Sequence, residues 1–345
     1  MFKDNTVFVI GAGASAEFGL PVGSTLIQTI KANCSFRLDE FGSRLAAGSR
    51  DVFQHYEKIF GRNDPAKVAQ FNLHLEKSRQ IAKGIDSAES IDEYIFRYAS
   101  DPLVAEIGKL HIAHAISLAE KKSIISDDNN FPDNFSVGDE TWIWTFAKAL
   151  MNGVKADDVE SVGQNISIIC FNYDRCIEHY LEHALMRGFH ELTLEDARKI
   201  VGQINIIHPY GWLGNLSAFP FGKADRFAAM AENLITWSET ITDLEVIQKL
   251  RTVVRSARQL VFMGFGFAAQ NMDLLNTQPT GVPNRNTLVY STGLGIPREV
   301  EAALKEKIIA LISSTWRPVA AEMIHFQHDA KCKKFFDIHR LNLVM

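Results

Sequence analysis

The stretch Thr6-Val7-Phe8-Val9-Ile10-Gly11-Ala12-Gly13-Ala14-Ser15-Ala16 decides the fold. A short apolar run that stops at glycines reads as a buried parallel strand, because a strand covered on both faces needs no polar alternation. Gly11 to Ala16 then fits G-x-G-x-x-A at a strand-to-helix turn. In such a turn Gly11 permits the tight bend, and Gly13 lets the backbone approach a pyrophosphate at a helix N-terminus. Alone, the pattern equally describes a turn with no ligand. A dehydrogenase would need a second strand ending in an acid ~20 residues on, and no strand precedes Asp39-Glu40. The chain contains no G-x-x-x-x-G-K-[ST], which excludes a P-loop NTPase by pattern.

Outward from this turn, residues 24–33 read as a helix with Ser24 as its N-cap. From 36 to 160 strand-like runs disappear. Helical spacing dominates in 65–83, 88–99, 102–121 and 140–152, and the polar stretch Ser123–Gly138 reads as a surface loop. Strand signals return at Ile166–Phe171, Gln203–Ile207, Leu260–Met263 and Thr287–Ser291, with Ile308–Ile312 as a sixth candidate. Helices are expected near 174–187, across 238–257 and from Pro297. Short apolar strands alternating with helices predict an α/β fold, a Rossmann-like parallel sheet with a large helical insertion. The core would comprise 1–35 and 161–345, and the insertion 36–160.

Composition narrows the class further. The chain has 345 residues, 46% of them hydrophobic and 22% charged, with a net charge of −5. That is ordinary globular composition, and it gives no broad electrostatic grip on nucleic acid. No apolar run approaches the ~18–20 residues that span a bilayer. No basic n-region or cleavage site precedes Val7, so a cytoplasmic setting is expected. The four cysteines (Cys34, Cys170, Cys176 and Cys332) form no CxxC pair, which excludes a four-cysteine zinc ribbon.

Three further segments carry chemistry. Phe171-Asn172-Tyr173-Asp174 sits at the carboxyl end of a strand, where ligands of open α/β sheets bind. Asn172 suits ribose hydroxyls or a positioned water, and Asp174 can accept from a carboxamide; both could instead cap the next helix. Ile207-His208-Pro209-Tyr210-Gly211 puts a histidine at a strand terminus, placed for general-base work, although a lone histidine is more often structural. Met263-Gly264-Phe265-Gly266 is a strand running into glycines that allow close backbone approach.

The order G-A-G-x-S, Gly19-Leu20-Pro21, N-x-D, a His-bearing turn and a strand ending in G-x-G resembles the sirtuin superfamily over residues 6–33 and 165–292. The resemblance implies a Rossmann-like sheet that binds NAD and cleaves its nicotinamide–ribose bond. It would place Gly11, Ala12, Gly13 and Ser15 at the pyrophosphate, and Pro21 of Gly19-Leu20-Pro21 among the residues that bind the dinucleotide. Asn172 would orient the ribose and the attacking water, Asp174 would hold the carboxamide, and His208 would be the general base. Gly264, Phe265 and Ser291 would line the ribose–adenine side. An ungapped match puts Tyr210 in the slot of the family's histidine; the assignment here gives the base to His208 and makes Tyr210 a pocket residue.

Deacylating sirtuins carry a four-cysteine zinc module and an Asp-Phe-Arg after G-I-P; this chain has Val22-Gly23-Ser24 there and no zinc module. The remainder resembles the bacterial sirtuin-like NADases of antiphage defence, which act by NAD depletion and abortive infection. That implies NAD as substrate, no metal, a homo-oligomer, and a partner such as a HerA-type ATPase. It implies neither nucleic-acid nor membrane binding. A lethal hydrolase would need an off state held by the insertion or by oligomer contacts. An atypical deacylase or ADP-ribosyltransferase, and a non-catalytic NAD or ADP-ribose sensor, are the alternatives.

Other patterns are weaker. His179-Tyr180-Leu181-Glu182-His183 fits H-x-x-E-H, but no third ligand is identifiable. Arg251, Arg255 and Arg258 read as a solvated helix face, and Trp142, Trp144 and Phe146 as packing. Asp92 could reach the crevice, although capping its own helix is the simpler account.

Overall fold

The computed structural model describes residues 1–40, 44–61, 64–276, 287–312 and 321–345. Its described strands are Thr6–Ile10 (β1), Arg37–Leu38 (β2), Leu45–Ala47 (β3), Ile166–Cys170 (β4), Asn205–Ile207 (β5), Gln259–Met263 (β6), Leu288–Thr292 (β7) and Ile324–Gln327 (β8). β2 and β3 form a small antiparallel pair. The other six make one parallel sheet in the order β5-β4-β1-β6-β7-β8. Counted among themselves these strands run 3-2-1-4-5-6, the doubly wound order of a Rossmann-like fold. The order reverses between β1 and β6, the switch point at whose carboxyl edge open α/β sheets bind their ligands.

All five residues of β1 are buried, as the unbroken apolar run requires. Its side chains alternate between two cores. Val7 and Val9 pack with Ile30, Leu75 and Ile107 of the helices Gly23–Cys34, Pro65–Gly84 and Pro102–Lys122. Phe8 and Ile10 pack with Phe146, Leu181 and Phe336 of the helices Trp142–Met151, Cys176–Gly188 and Cys332–Leu343. The segment between β1 and β4 therefore contributes helices to both faces of the sheet.

Register sets the site. Ile10 lies opposite Cys170 of β4 and Met263 of β6. The next residues, Gly11, Phe171 and Gly264, therefore leave the sheet at one level. Phe171 N donates to Ile10 O, and Gly11 N to Met263 O, both at 2.9 Å.

The structure departs from the sequence reading in several places, and the first is that β2 and β3 fall within 36–160, where no strand was expected, too short to show a period. Ile308–Ile312 is no strand: it ends the helix Glu301–Ile312, where Ile308, Ile309 and Leu311 are buried, and β8 is the sixth strand. A short apolar run buried at a helix end has no period that separates it from a strand. The stretch 238–257 holds two helices, Trp237–Thr242 and Leu244–Ser256, broken where Asp243 caps the second. Ser24 lies inside its helix, whose N-cap is Val22. Ser123–Gly138 is anchored by buried Ile125, Phe131 and Phe135. No helix among the described residues is long and apolar enough to cross a membrane.

Candidate functional site

At the switch point the β1 and β6 turns touch. Gly13 N donates to Gly264 O at 2.9 Å. A Cβ on Gly11 would lie 2.6 Å from Gly264 O, one on Gly13 2.8 Å from Gly264 Cα, and one on Gly264 2.0 Å from Ala14 N. Gly264 also adopts φ +56°, a left-handed conformation that favours glycine. The helix after Gly11 is a single turn, Ala12–Ser15, so no long helix dipole stands behind it. The amides of Gly11, Gly13 and Ala14 are already donated within the fold. These glycines thus provide close approach rather than an array of free donors.

Above these turns lies a cleft of about 1250 Å³. Gly11, Ala12, Gly13, Asn172, Tyr210, Gly264 and Phe265 all line it. The topology thus gathers seven of the twelve sequence-predicted site residues in one cavity. Asn172 Nδ2 donates to Gly11 O at 3.1 Å and to Ser15 Oγ at 2.7 Å. With Nδ2 committed, Oδ1 is what Asn172 offers a ligand. Tyr210 Oη donates to Asn271 Oδ1 at 2.7 Å.

Five residues stand elsewhere. Ser15 is buried and holds Asn172 from below; its hydroxyl also bonds Asp174. Asp174 is buried, does not line the cleft, and accepts at 3.1 Å from the N–H of Cys176, the first residue of the following helix, instead of meeting a carboxamide. Burial pushes its carboxyl up, against the hydrogen bonds from Ser15 and Cys176. Ser291 is fully buried with Oγ donating to Thr292 O; its neighbour Thr292 lines the cleft and accepts from Gly264 N at 2.8 Å. Pro21 is half-buried, and Val22 and Gly23 line the cleft in its place.

His208 is the largest departure. It lines a separate pocket of about 530 Å³ with Glu178, Glu182, Arg198 and Trp212. Its Nε2 lies 2.8 Å from Glu178 Oε1 and its Nδ1 3.4 Å from Asn172 O, and its ring stacks on Trp212. Burial works against the imidazolium, but the Glu178 carboxylate beside it raises the ring above the usual histidine range. Paired with Glu178 and lining a different pocket, His208 does not meet the cleft where the expected base would stand. The cause is local: Gly211 N donates to His208 O at 3.1 Å, and this turn sends His208 and Tyr210 to opposite sides.

Asp92 enters the cleft instead. It lies on the helix Ile91–Arg97, whose N-cap is Ser90, accepting from Glu93 N at 3.1 Å. Ser90 and Glu93 already answer the capping pattern, which was the signal that Asp92 is spare. Its Oδ1 accepts from Tyr173 Oη. Burial pushes the Asp92 carboxyl up to about 6, and the Tyr173 hydroxyl draws it partly back. Arg175, beside Asp174, is fully buried in an ion pair with Glu120, which ties the helix Pro102–Lys122 to the floor of the site.

The H-x-x-E-H pattern holds no metal-like geometry: His179 Nε2 lies 3.0 Å from Ile125 O, and the ring stacks on Phe221 at 4.1 Å. Among the described residues no group of three or more potential ligands is arranged for a metal ion.

Fold and site together define a doubly wound α/β protein with a large cleft at the switch point of its sheet. A scan against family models, a search of curated proteins and a search of solved structures each find no match.

Proposed function

We propose that the cleft binds NAD+ and hydrolyses its nicotinamide–ribose bond to nicotinamide and ADP-ribose. The observation that carries this reading is the meeting, in one cleft, of touching glycine turns with Asn172 Oδ1 and the Asp92 carboxylate. A volume of about 1250 Å³ exceeds the ~300–1,000 Å³ common for small-molecule pockets, which favours a ligand with two ends.

In the reaction the C1′–N bond breaks and its electron pair leaves with the ring nitrogen, neutralising the pyridinium. The leaving group needs no acid. Water then bonds to the oxocarbenium carbon, and its proton passes to solvent. Asn172 Oδ1 accepts from this water or from the ribose and fixes its direction, a positioning effect. Asp92 supplies negative charge as positive charge moves onto the sugar. His208 takes a different role from the one expected of it: with Glu178 it supports the Asn172 backbone from behind. The defence role, the oligomer and a partner ATPase are carried into this proposal by the sequence resemblance alone.

The test is NAD+ consumption by the purified protein with products separated. Asn172→Ala should lower turnover by about a hundredfold, the usual scale for removing one positioned polar group. Undiminished turnover in Asn172→Ala would overturn the mechanism. Tyr210 in the slot of the family's histidine favours a second reading, a non-catalytic sensor; NAD+ binding without turnover would establish that one.

A further inference from the structure

The pocket that holds His208, about 530 Å³, lies beside the edge strand β5 and is lined from the helices Cys176–Gly188 and Leu194–Gln203. It shares none of its described lining residues with the cleft. Glu178 and Glu182 stand four residues apart on the first helix, so both carboxylates reach one face. Each is answered by one base: Glu178 by His208 at 2.8 Å, and Glu182 by Arg198 Nε at 3.1 Å. These four are the acids and bases among the described lining residues, and they balance. A charged ligand would lose its hydration here and meet no opposite charge left unpaired.

One atom remains unanswered. Glu178 is 6% exposed; its Oε1 meets His208, and its Oε2 has no hydrogen-bond partner among the described residues. A buried carboxylate oxygen without a donor is costly, and folded proteins seldom leave one so. The remaining lining adds a second acceptor, a donor and a flat face. Asn233 Nδ2 donates to Ala229 O and Met230 O, both at 3.3 Å, which leaves Oδ1 to accept. Asn215 Oδ1 accepts from Ser217 N at 2.8 Å, which leaves Nδ2 to donate. Trp212 is half-buried, and among the described residues His208 is the one ring stacked on it. Val201, Ile206 and Leu216 supply apolar wall.

We propose that this pocket binds a neutral nitrogen heterocycle with an exocyclic amino group, its amino N–H donated to Glu178 Oε2 and its ring laid against Trp212. Glutamate accepts from an amino group of this kind when it reads cytosine. The volume falls within the ~300–1,000 Å³ common for small-molecule sites. The pocket is separate from the cleft, and its ligand is independent of the NAD reading above. The two sites adjoin through one side chain, since His208 Nδ1 lies 3.4 Å from Asn172 O.

The probe is 1-methylcytosine, whose amino group is its one N–H donor. It is titrated by saturation-transfer NMR beside 1-methylpyrimidin-2-one, the same ring without that group. The first should bind with a Kd of about 1 mM, ordinary for so few atoms, and about tenfold or more tighter than the second. Glu178→Gln can still accept from His208 but turns an N–H toward the pocket, so the two probes should come within about twofold. Trp212→Leu should weaken both by about fivefold or more, and it carries the test if Glu178→Gln does not fold. ADP-ribose should not displace the probe. No saturation by about 20 mM, equal affinities in the unmodified protein, unchanged affinities in the variants, or displacement by ADP-ribose would each overturn the assignment.

Discussion

Asn172 is held by a relay. Its amide donates to Ser15, and the Ser15 hydroxyl bonds Asp174, which accepts from the first N–H of the next helix. Ser15→Ala should release one of two bonds that fix the amide. The expected outcome is a stability loss of about 1 kcal/mol in denaturant titration and a larger effect, about tenfold, on NAD+ turnover. Asp92 sets a second expectation. A carboxyl near 6 is charged above that pH and neutral below it. Turnover should therefore fall as pH drops through about 6, and Asp92→Asn should flatten that limb of a kcat profile. A profile governed instead by a residue that must lose a proton near 7 would point back to a histidine. The glycines, Asn172 and Tyr210 were readable because turn chemistry and strand ends announce them. His208 was not, because the side of a turn on which a side chain emerges depends on the hydrogen bond that closes it. Asp92 was read as a possible cap although Ser90, with Glu93 three residues on, already filled that role in the sequence and does so in the fold.

The touching turns of β1 and β6 are the most constrained elements. Gly264→Ala places a Cβ 2.0 Å from Ala14 N at φ +56°. The substitution should cost about 3 kcal/mol or more in urea unfolding, from backbone strain plus overpacking. Gly266→Ala, two residues on, meets nothing within 4 Å and serves as the control. At this scale most of the sheet follows from the sequence: β1, β4, β5, β6 and β7 are apolar runs bounded by turns, and each coincides with an expected strand to within a residue or two. β8 was missed because Ile324-His325-Phe326-Gln327 alternates at a sheet edge with only Ile324 buried, whereas Ile308-Ile309 looked more strand-like yet completes a helix. Burial against neighbours distant in sequence, not propensity, decides such runs.

Across the whole molecule, two features govern stability. Arg175 and Glu120 are both fully buried, with Arg175 Nε 3.1 Å from Glu120 Oε1. Removing one partner leaves an unpaired charge in the interior, so Glu120→Ala should destabilise the protein by about 3–5 kcal/mol. Arg175→Met with Glu120→Leu should recover much of that loss, read from the same unfolding curves. His111 and His179 are pushed down to about 3 by burial. Their folded values lie below the ~6.5 of an unfolded histidine. The neutral rings therefore contribute stability that is complete above about pH 6.5 and is lost as pH falls from there toward 3. Thermal unfolding at stepped pH should show this decline, and His111→Phe should reduce its slope.

The sheet order also dictates when the chain can begin to fold. β1 precedes the other described strands of its sheet, yet both of its neighbours lie far downstream, β4 from Ile166 and β6 from Gln259. During synthesis Val7–Ile10 emerges as an apolar segment with no strand of its sheet to join until Ile166–Cys170 has been made. The first glycine turn, which needs Gly264 against it, waits longer still. A nascent chain stalled near residue 160 would thus present an unpaired hydrophobic strand to the cell. A ribosome-bound series of increasing length should show chaperone engagement and protease sensitivity that end only after β6 has cleared the exit tunnel.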